Sequence, residues 1–163
     1  RMSTSAFLSA LVNAYASALV TVSKTVGIDA EFLKADTSVG VNAPGSRVAA
    51  LIGIVGAGAH GSAAVMADIG AFEAYVAAFS GGMIAADPED AMAMSVLGEL
   101  TNMISGQALI KVNIDGLDIT PPQLIIGENL KTIVPVKGEI KSFTLPFKVG
   151  SGKVFLVLSV HGA

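Results

Sequence analysis

Glu99 and Asn102 are the residues of this chain best placed, by type and spacing, to do chemistry. Three positions apart on a helix, they stand about 60° from each other round the axis and one turn along, so both can reach into one cleft. A carboxylate can pair with a cation, and an amide can donate and accept hydrogen bonds at once. The rest of the same face, Ala91, Ser95, Gly98, Ser105 and Gly106, is shaved to small residues. Exposed helix faces ordinarily carry Lys, Glu, Gln and Arg, which are good helix formers. Glycine costs about 1 kcal/mol against alanine in a helix interior, so Gly98 and Gly106 call for close approach by another surface. That surface is either a neighbouring element of the same fold or a second molecule, and composition leaves both open. Ser95 has no histidine placed to act as its base, so it reads as a hydrogen-bonding or close-packing residue rather than a nucleophile.

Other chemistry-bearing strings carry less. Gly56-Ala57-Gly58-Ala59-His60-Gly61 has the spacing of a dinucleotide fingerprint. That spacing binds phosphate only where a helix opens at its end. Ser62 to Met66 reads as a strand instead, so the glycines predict a hairpin turn. Gly150-Ser151-Gly152-Lys153 resembles a fragment of a phosphate loop but lacks the first glycine and a following helix. His60 and His161 are far apart in sequence, and without cysteine there is no thiol nucleophile, disulfide or thiolate metal site.

The element that must position Glu99 and Asn102 is a helix over Asp87–Ala108. Asp87 predicts its N-cap, Pro88 its first turn, and Glu89 and Asp90 place negative charge at the favoured end of the dipole. Ala93, Met94, Val96, Leu97, Leu100, Met103 and Ile104 fall on the opposite, core-facing side. An extension of this helix to Ile114, before Asp115-Gly116, is open. Ahead of it, Phe7, Leu8, Leu11, Val12, Tyr15, Leu19 and Val22 follow helical spacing through Thr4–Thr25, with Gly27 as the stop. Strands are expected over Ile28–Thr37, Arg47–Val55 (buried on both faces) and Ser62–Met66, then a short helix over Asp68–Ser80. Strands follow over Leu117–Gly127, Gly138–Val149 and Lys153–His161. The sum is an α+β domain: an antiparallel sheet of about six strands with two long helices on one face. Each half is a long helix followed by strands, which hints at duplication.

At 163 residues the chain is read as one domain, 1–163. A net charge of −3 argues against a nucleic-acid partner. The mean hydropathy of +0.68 is high, and Met2 to Ser23 carries no charge, so membrane insertion has to be weighed. Ser9, Asn13, Ser17 and Thr21 break that run into an amphipathic pattern, which predicts a packed helix and no insertion. The apolar surplus then points to a broad core or to an interface with a second copy.

Ser95-x-x-x-Glu99-x-x-Asn102, with Gly106 close behind, is similar to the signature of the CheC/CheX/FliY chemotaxis phosphatases. Ile119-Thr120-Pro121-Pro122 followed by Leu124-Ile125-Ile126-Gly127 resembles the strand entry of CheX-type members, and Phe143-Thr144-Leu145-Pro146-Phe147 resembles the end of their domain. Ala6-Phe7-Leu8 through Val26-Gly27 resembles the first helix, and Gly53–Ala67 the glycine-turn hairpin. The two prolines fall slightly earlier than the family pattern, so the helix end is expected to differ.

The resemblance implies a cytoplasmic phosphatase that dephosphorylates the phospho-aspartate of a CheY-like response-regulator receiver domain. By that analogy Asn102 positions the attacking water and Glu99 binds the partner's lysine. Ser95, Gly98, Ser105 and Gly106 give the partner clearance. The chain would hold no cofactor of its own, Mg²⁺ belonging to the partner. Some members carry a second motif on the first helix. The corresponding Ser9-x-x-x-Asn13-x-x-Ala16 here has neither the acid nor the amide, so one site per chain is expected. A homodimer through the sheet is implied as well. Two other readings stand beside this one: a non-catalytic adaptor docking a receiver through the same helix, and a small-molecule sensor using the apolar interior.

Overall fold

The computed structural model describes residues 3–130 and 140–161. Helix α1 spans Thr4–Thr25, as the spacing predicts, with the Ser3 hydroxyl accepting from the Ala6 amide at 3.1 Å. Its length and composition alone would suit a membrane crossing. In the fold Phe7, Leu8, Leu11, Tyr15, Leu19 and Val22 are buried in the core, while Ser9, Asn13, Ser17 and Thr21 face solvent. The chain continues through β1 (Glu31–Phe32), a 3₁₀ turn (Lys34–Asp36), β2 (Ser38–Val39), β3 (Val48–Gly56) and β4 (Ala59–Ala67). Helix α2 (Ile69–Ser80), helix α3 (Ala91–Val112), β5 (Asp118–Ile119), β6 (Gln123–Ile126), β7 (Ile140–Val149) and β8 (Gly152–His161) complete it.

All strand pairs are antiparallel, in the order β1-β7-β8-β4-β3-β5, with β2 also on β7 and β6 also on β3. Across the sheet there are therefore six strand positions, two of them shared by pairs of short strands. Alternation along the strands makes two faces. Val48, Ala50, Ile52 and Ile54 of β3 join Leu156 and Leu158 of β8 under the three helices in the main core. The other face has a smaller cluster of Ala49, Ala64, Met66, Phe155 and Val157, closed by Ala43. β3 is thus buried on both faces only toward its start, because Val55 is exposed.

The halves are alike in layout. Helices α1 and α3 are each 22 residues long. Each precedes two short strands and then a long hairpin, β3–β4 or β7–β8. The short strands of each half pair with the hairpin of the other, so the strand order reads the same from either edge.

Several strand expectations need correction. Ile28–Thr37 is not one strand: Leu33 leaves the extended region at ψ 67°, and the Asp36 amide bonds to the Leu33 carbonyl at 2.9 Å, breaking the segment into β1 and β2. Leu117–Gly127 is split at Thr120-Pro121-Pro122, where two residues without an N–H cannot extend the ladder. The expected start at Gly138 lies outside the described residues, and β8 begins one residue earlier than predicted, at Gly152. The glycine-rich string is a hairpin turn, tighter than expected. Gly56 pairs with Ala59 around Ala57 and Gly58, both at positive φ, so β4 starts at Ala59 rather than Ser62.

Candidate functional site

Helix α3 begins three residues later than the sequence suggests. Asp87 caps nothing on the helix. Its side chain accepts from the Glu89 amide at 2.9 Å, and its carbonyl accepts from the Asp90 amide at 2.9 Å, a tight turn with Pro88 at its second position. Asp90 is the N-cap, accepting from the Met92 amide at 3.0 Å. Both aspartates precede the helix and both could cap it. The proline suits the turn as well as it suits a first helical position, so local sequence does not separate the two. The far end runs to Val112, where Asn113 adopts the left-handed conformation and returns its amide to the Leu109 carbonyl at 3.1 Å.

The helix buries Ala93, Met94, Val96, Leu97, Leu100, Ile104 and Ala108, with Met103 half-buried. On the opposite side Ser95, Glu99 and Gly106 are exposed and Asn102 is half-buried. Those four form one line. Met92 and Ile110 extend it at either end, 63% and 78% exposed. Sequence reasoning passed over both, although they lie seven residues before and eleven after Glu99, which returns to within about 20° of it on a helix. Among the described residues, neither Glu99 nor Asn102 commits its side chain to a hydrogen bond or ion pair. Ser95 does: its hydroxyl donates to the Met92 carbonyl at 2.6 Å, which leaves the oxygen's lone pairs toward solvent.

Two residues expected on the open face belong to the fold instead. Ser105 is fully buried and accepts from the Tyr15 hydroxyl at 2.8 Å, tying α3 to α1. Its expected role in clearing a partner is corrected accordingly. Gly98 is also buried, under β6 and the preceding bend. A Cβ there would lie 3.4 Å from Leu124 Cδ2 and 3.5 Å from Pro122 Cγ. The close approach that Gly98 called for comes from its own chain. Gly106 differs: no neighbour lies within 4 Å of where its Cβ would be.

Burial of the Tyr15 phenol pushes its pKa well above the ordinary value, the bond to Ser105 offsetting part of the rise. Across the layer, Tyr75 of α2 and Ser23 of α1 make a second buried hydroxyl pair at 2.6 Å. There burial pushes the phenol up to about 12, again partly offset by the serine.

Neither histidine joins Glu99 and Asn102. His60 lies on the β3–β4 hairpin, and His161 lines an open cleft of about 590 Å³ with Ser62 and Gln123. A second cleft, about 500 Å³, lies between the start of α1 and Phe143. Among the described residues, no group of three His, Cys, Asp or Glu side chains could hold a metal ion. What the face offers is an uncommitted carboxylate and an uncommitted amide, side by side on a ridge. A ridge of this kind can enter another molecule's cleft.

Residues 48–148 match the family model described as chemotaxis phosphatase CheX. A relative from Thermotoga maritima, CheY-P phosphatase CheX, is 35% identical over 147 residues, covering 86% of this chain and 88% of that protein. The structure of a putative chemotaxis protein from Desulfovibrio vulgaris Hildenborough superposes with a TM-score of 0.74 at 25% identity, covering 93% of this chain and 96% of the other. The CheX-CheY-BeF3-Mg²⁺ complex from Borrelia burgdorferi gives a TM-score of 0.63 at 20% identity, covering 92% and 96%, a likeness of fold.

Proposed function

The chain belongs to the CheX chemotaxis phosphatase family, and on that footing we propose that it hydrolyses the phospho-aspartate of a CheY-like receiver domain. The observation that carries this reading is the pairing of exposed Glu99 with half-buried Asn102, both uncommitted and one turn apart on α3, with Gly106 open beside them. Names among the relatives lend support: one is a CheY-P phosphatase, and another fold relative was crystallised with CheY, BeF3 and Mg²⁺.

Phosphoryl transfer of this kind needs in-line placement and charge stabilisation more than covalent help. Water oxygen bonds to phosphorus as the bond from phosphorus to the aspartyl oxygen breaks, releasing a free carboxylate and inorganic phosphate. The Asn102 carbonyl accepts a hydrogen bond from the water while its NH₂ donates toward the phosphoryl oxygens. A carboxylate in its place would bring repulsion beside the phosphoryl group. Glu99 anchors the partner through its lysine, and Mg²⁺ belongs to the receiver. Ser95 and Gly106 border the contact. Residues 1–163 act as one cytoplasmic domain, with a homodimer formed through the sheet, which sedimentation would test.

The direct test mixes the protein with a receiver domain phosphorylated on its aspartate, in Mg²⁺, and follows the phosphate's lifetime. A shortened lifetime is expected. Binding with an unchanged lifetime would replace the phosphatase by an adaptor, and no binding at all would remove both.

A further inference from the structure

Helix α3 can carry Glu99 and Asn102 into a partner only if its rotation about its own axis is fixed. Most of its buried side is Ala, Leu, Val, Met and Ile. Apolar contacts of that kind are non-directional and tolerate a small turn of the helix. A hydrogen bond does not, since it weakens steeply with misalignment. The bond that ties α3 to another helix is Tyr15 Oη to Ser105 Oγ, 2.8 Å long, between two fully buried residues. Thr101, one turn earlier on the buried side, is no substitute, because its hydroxyl is committed to the Leu97 carbonyl at 2.7 Å. Ser105 follows Asn102 by three residues, about 60° round the helix. Turning α3 by about 10° would carry a side-chain tip some 6 Å from the axis through about 1 Å. A misplacement of about 1 Å can cost on the order of 100-fold in rate.

We propose that Tyr15 and Ser105 are positioning residues, the buried Tyr15–Ser105 hydrogen bond setting the rotation of α3 and so the aim of Glu99 and Asn102. The proposal rests on the phosphatase reading for its kinetic test and stands apart from it for its structural one.

The fold supplies a matched control. Tyr75 and Ser23 make a bond of the same chemistry between α1 and α2, 2.6 Å long, which does not touch α3. Tyr15→Phe is expected to lower the rate at saturating phosphorylated receiver about tenfold with little change in the half-saturating concentration. Tyr75→Phe should lose a similar amount of melting temperature and keep the rate. Ser105→Ala should match Tyr15→Phe. The double variant should recover stability, because neither hydroxyl is left unpaired, but not rate. A parent-like rate for Tyr15→Phe, or an equal rate loss for Tyr75→Phe, overturns the proposal. Crystal structures of the two phenylalanine variants decide it even if the parent proves inactive: α3 turns about its axis in the first and not in the second. An unmoved α3 in Tyr15→Phe overturns it whatever the kinetics. A parent that leaves the phosphate's lifetime unchanged overturns the phosphatase reading alone.

Discussion

Thr120 and Gly53 clasp each other across the sheet. The Thr120 amide donates to the Gly53 carbonyl at 2.9 Å, and the Gly53 amide donates to Thr120 Oγ1 at 2.7 Å. This pair bridges β5 and β6 just where Pro121 and Pro122 have no N–H to give, and it pins the bend whose Pro122 faces Gly98. Thr120→Val keeps the shape and removes the acceptor. It should cost about 1 kcal/mol in urea unfolding. An unchanged midpoint would mean that water replaces the hydroxyl at no loss.

Glu99 and Asn102 should separate kinetically. Asn102→Ala removes a group proposed to act in the transition state, so the saturating rate should fall about 100-fold. Glu99→Ala removes an anchor, so the half-saturating receiver concentration should rise with the saturating rate little changed. Both sites are on the surface, and both variants should unfold within about 0.5 kcal/mol of the parent. Phosphate release against receiver concentration measures the split. The reverse pattern would exchange the two roles.

The two helix glycines should also part company. Gly98→Ala places a methyl in ordinary contact with Leu124 and Pro122, and Gly106→Ala places one in open space. Each should gain up to about 1 kcal/mol of helix stability in the isolated chain. Only Gly106→Ala should raise the half-saturating receiver concentration. Identical binding by both would take Gly106 out of the contact.

Alkali should destabilise the fold through its buried phenols. Burial raises Tyr75 from the ordinary 10.0 to about 12, and Tyr15 is raised too. Below about pH 10 folded and unfolded chains both keep these protons, and their contribution to stability is fully present. As pH rises from 10 toward 12, the unfolded chain ionises first. Stability then falls by up to about 1.4 kcal/mol per pH unit for each tyrosine. Denaturant unfolding across pH 8–12 should show this slope, reduced in Tyr15→Phe and in Tyr75→Phe.

Ala57 holds φ 54° in the β3–β4 turn, a conformation that costs a side-chain-bearing residue about 1 kcal/mol. Ala57→Gly should therefore stabilise the hairpin, and the thermal midpoint is the measure. A lower midpoint would mean that the added chain entropy outweighs the relief.

Where a pattern is set by burial alone, the sequence is readable. Amphipathic Thr4–Thr25, charged only at Lys24, yields α1 at its observed bounds, and the apolar stripe of α3 yields its buried side. Small and polar residues misled where burial and polarity part. Ser105 looks solvent-facing by type, yet its hydroxyl is satisfied by Tyr15, 90 positions away, which no local window contains. Gly98 looked like clearance for another molecule, and β6 fills that space. The short strands were unreadable for a related reason: their pairing is decided by β7 and β3, distant in the chain.

The exchange of edge strands between halves has a consequence for the fold's assembly. Neither residues 3–80 nor residues 87–161 can finish a sheet alone, since each needs the other's hairpin to seat its own short strands. A half of this architecture standing alone would complete its sheet only by trading edges with a second copy. Cut between α2 and α3, the two fragments should be unstructured apart and should reassemble when mixed.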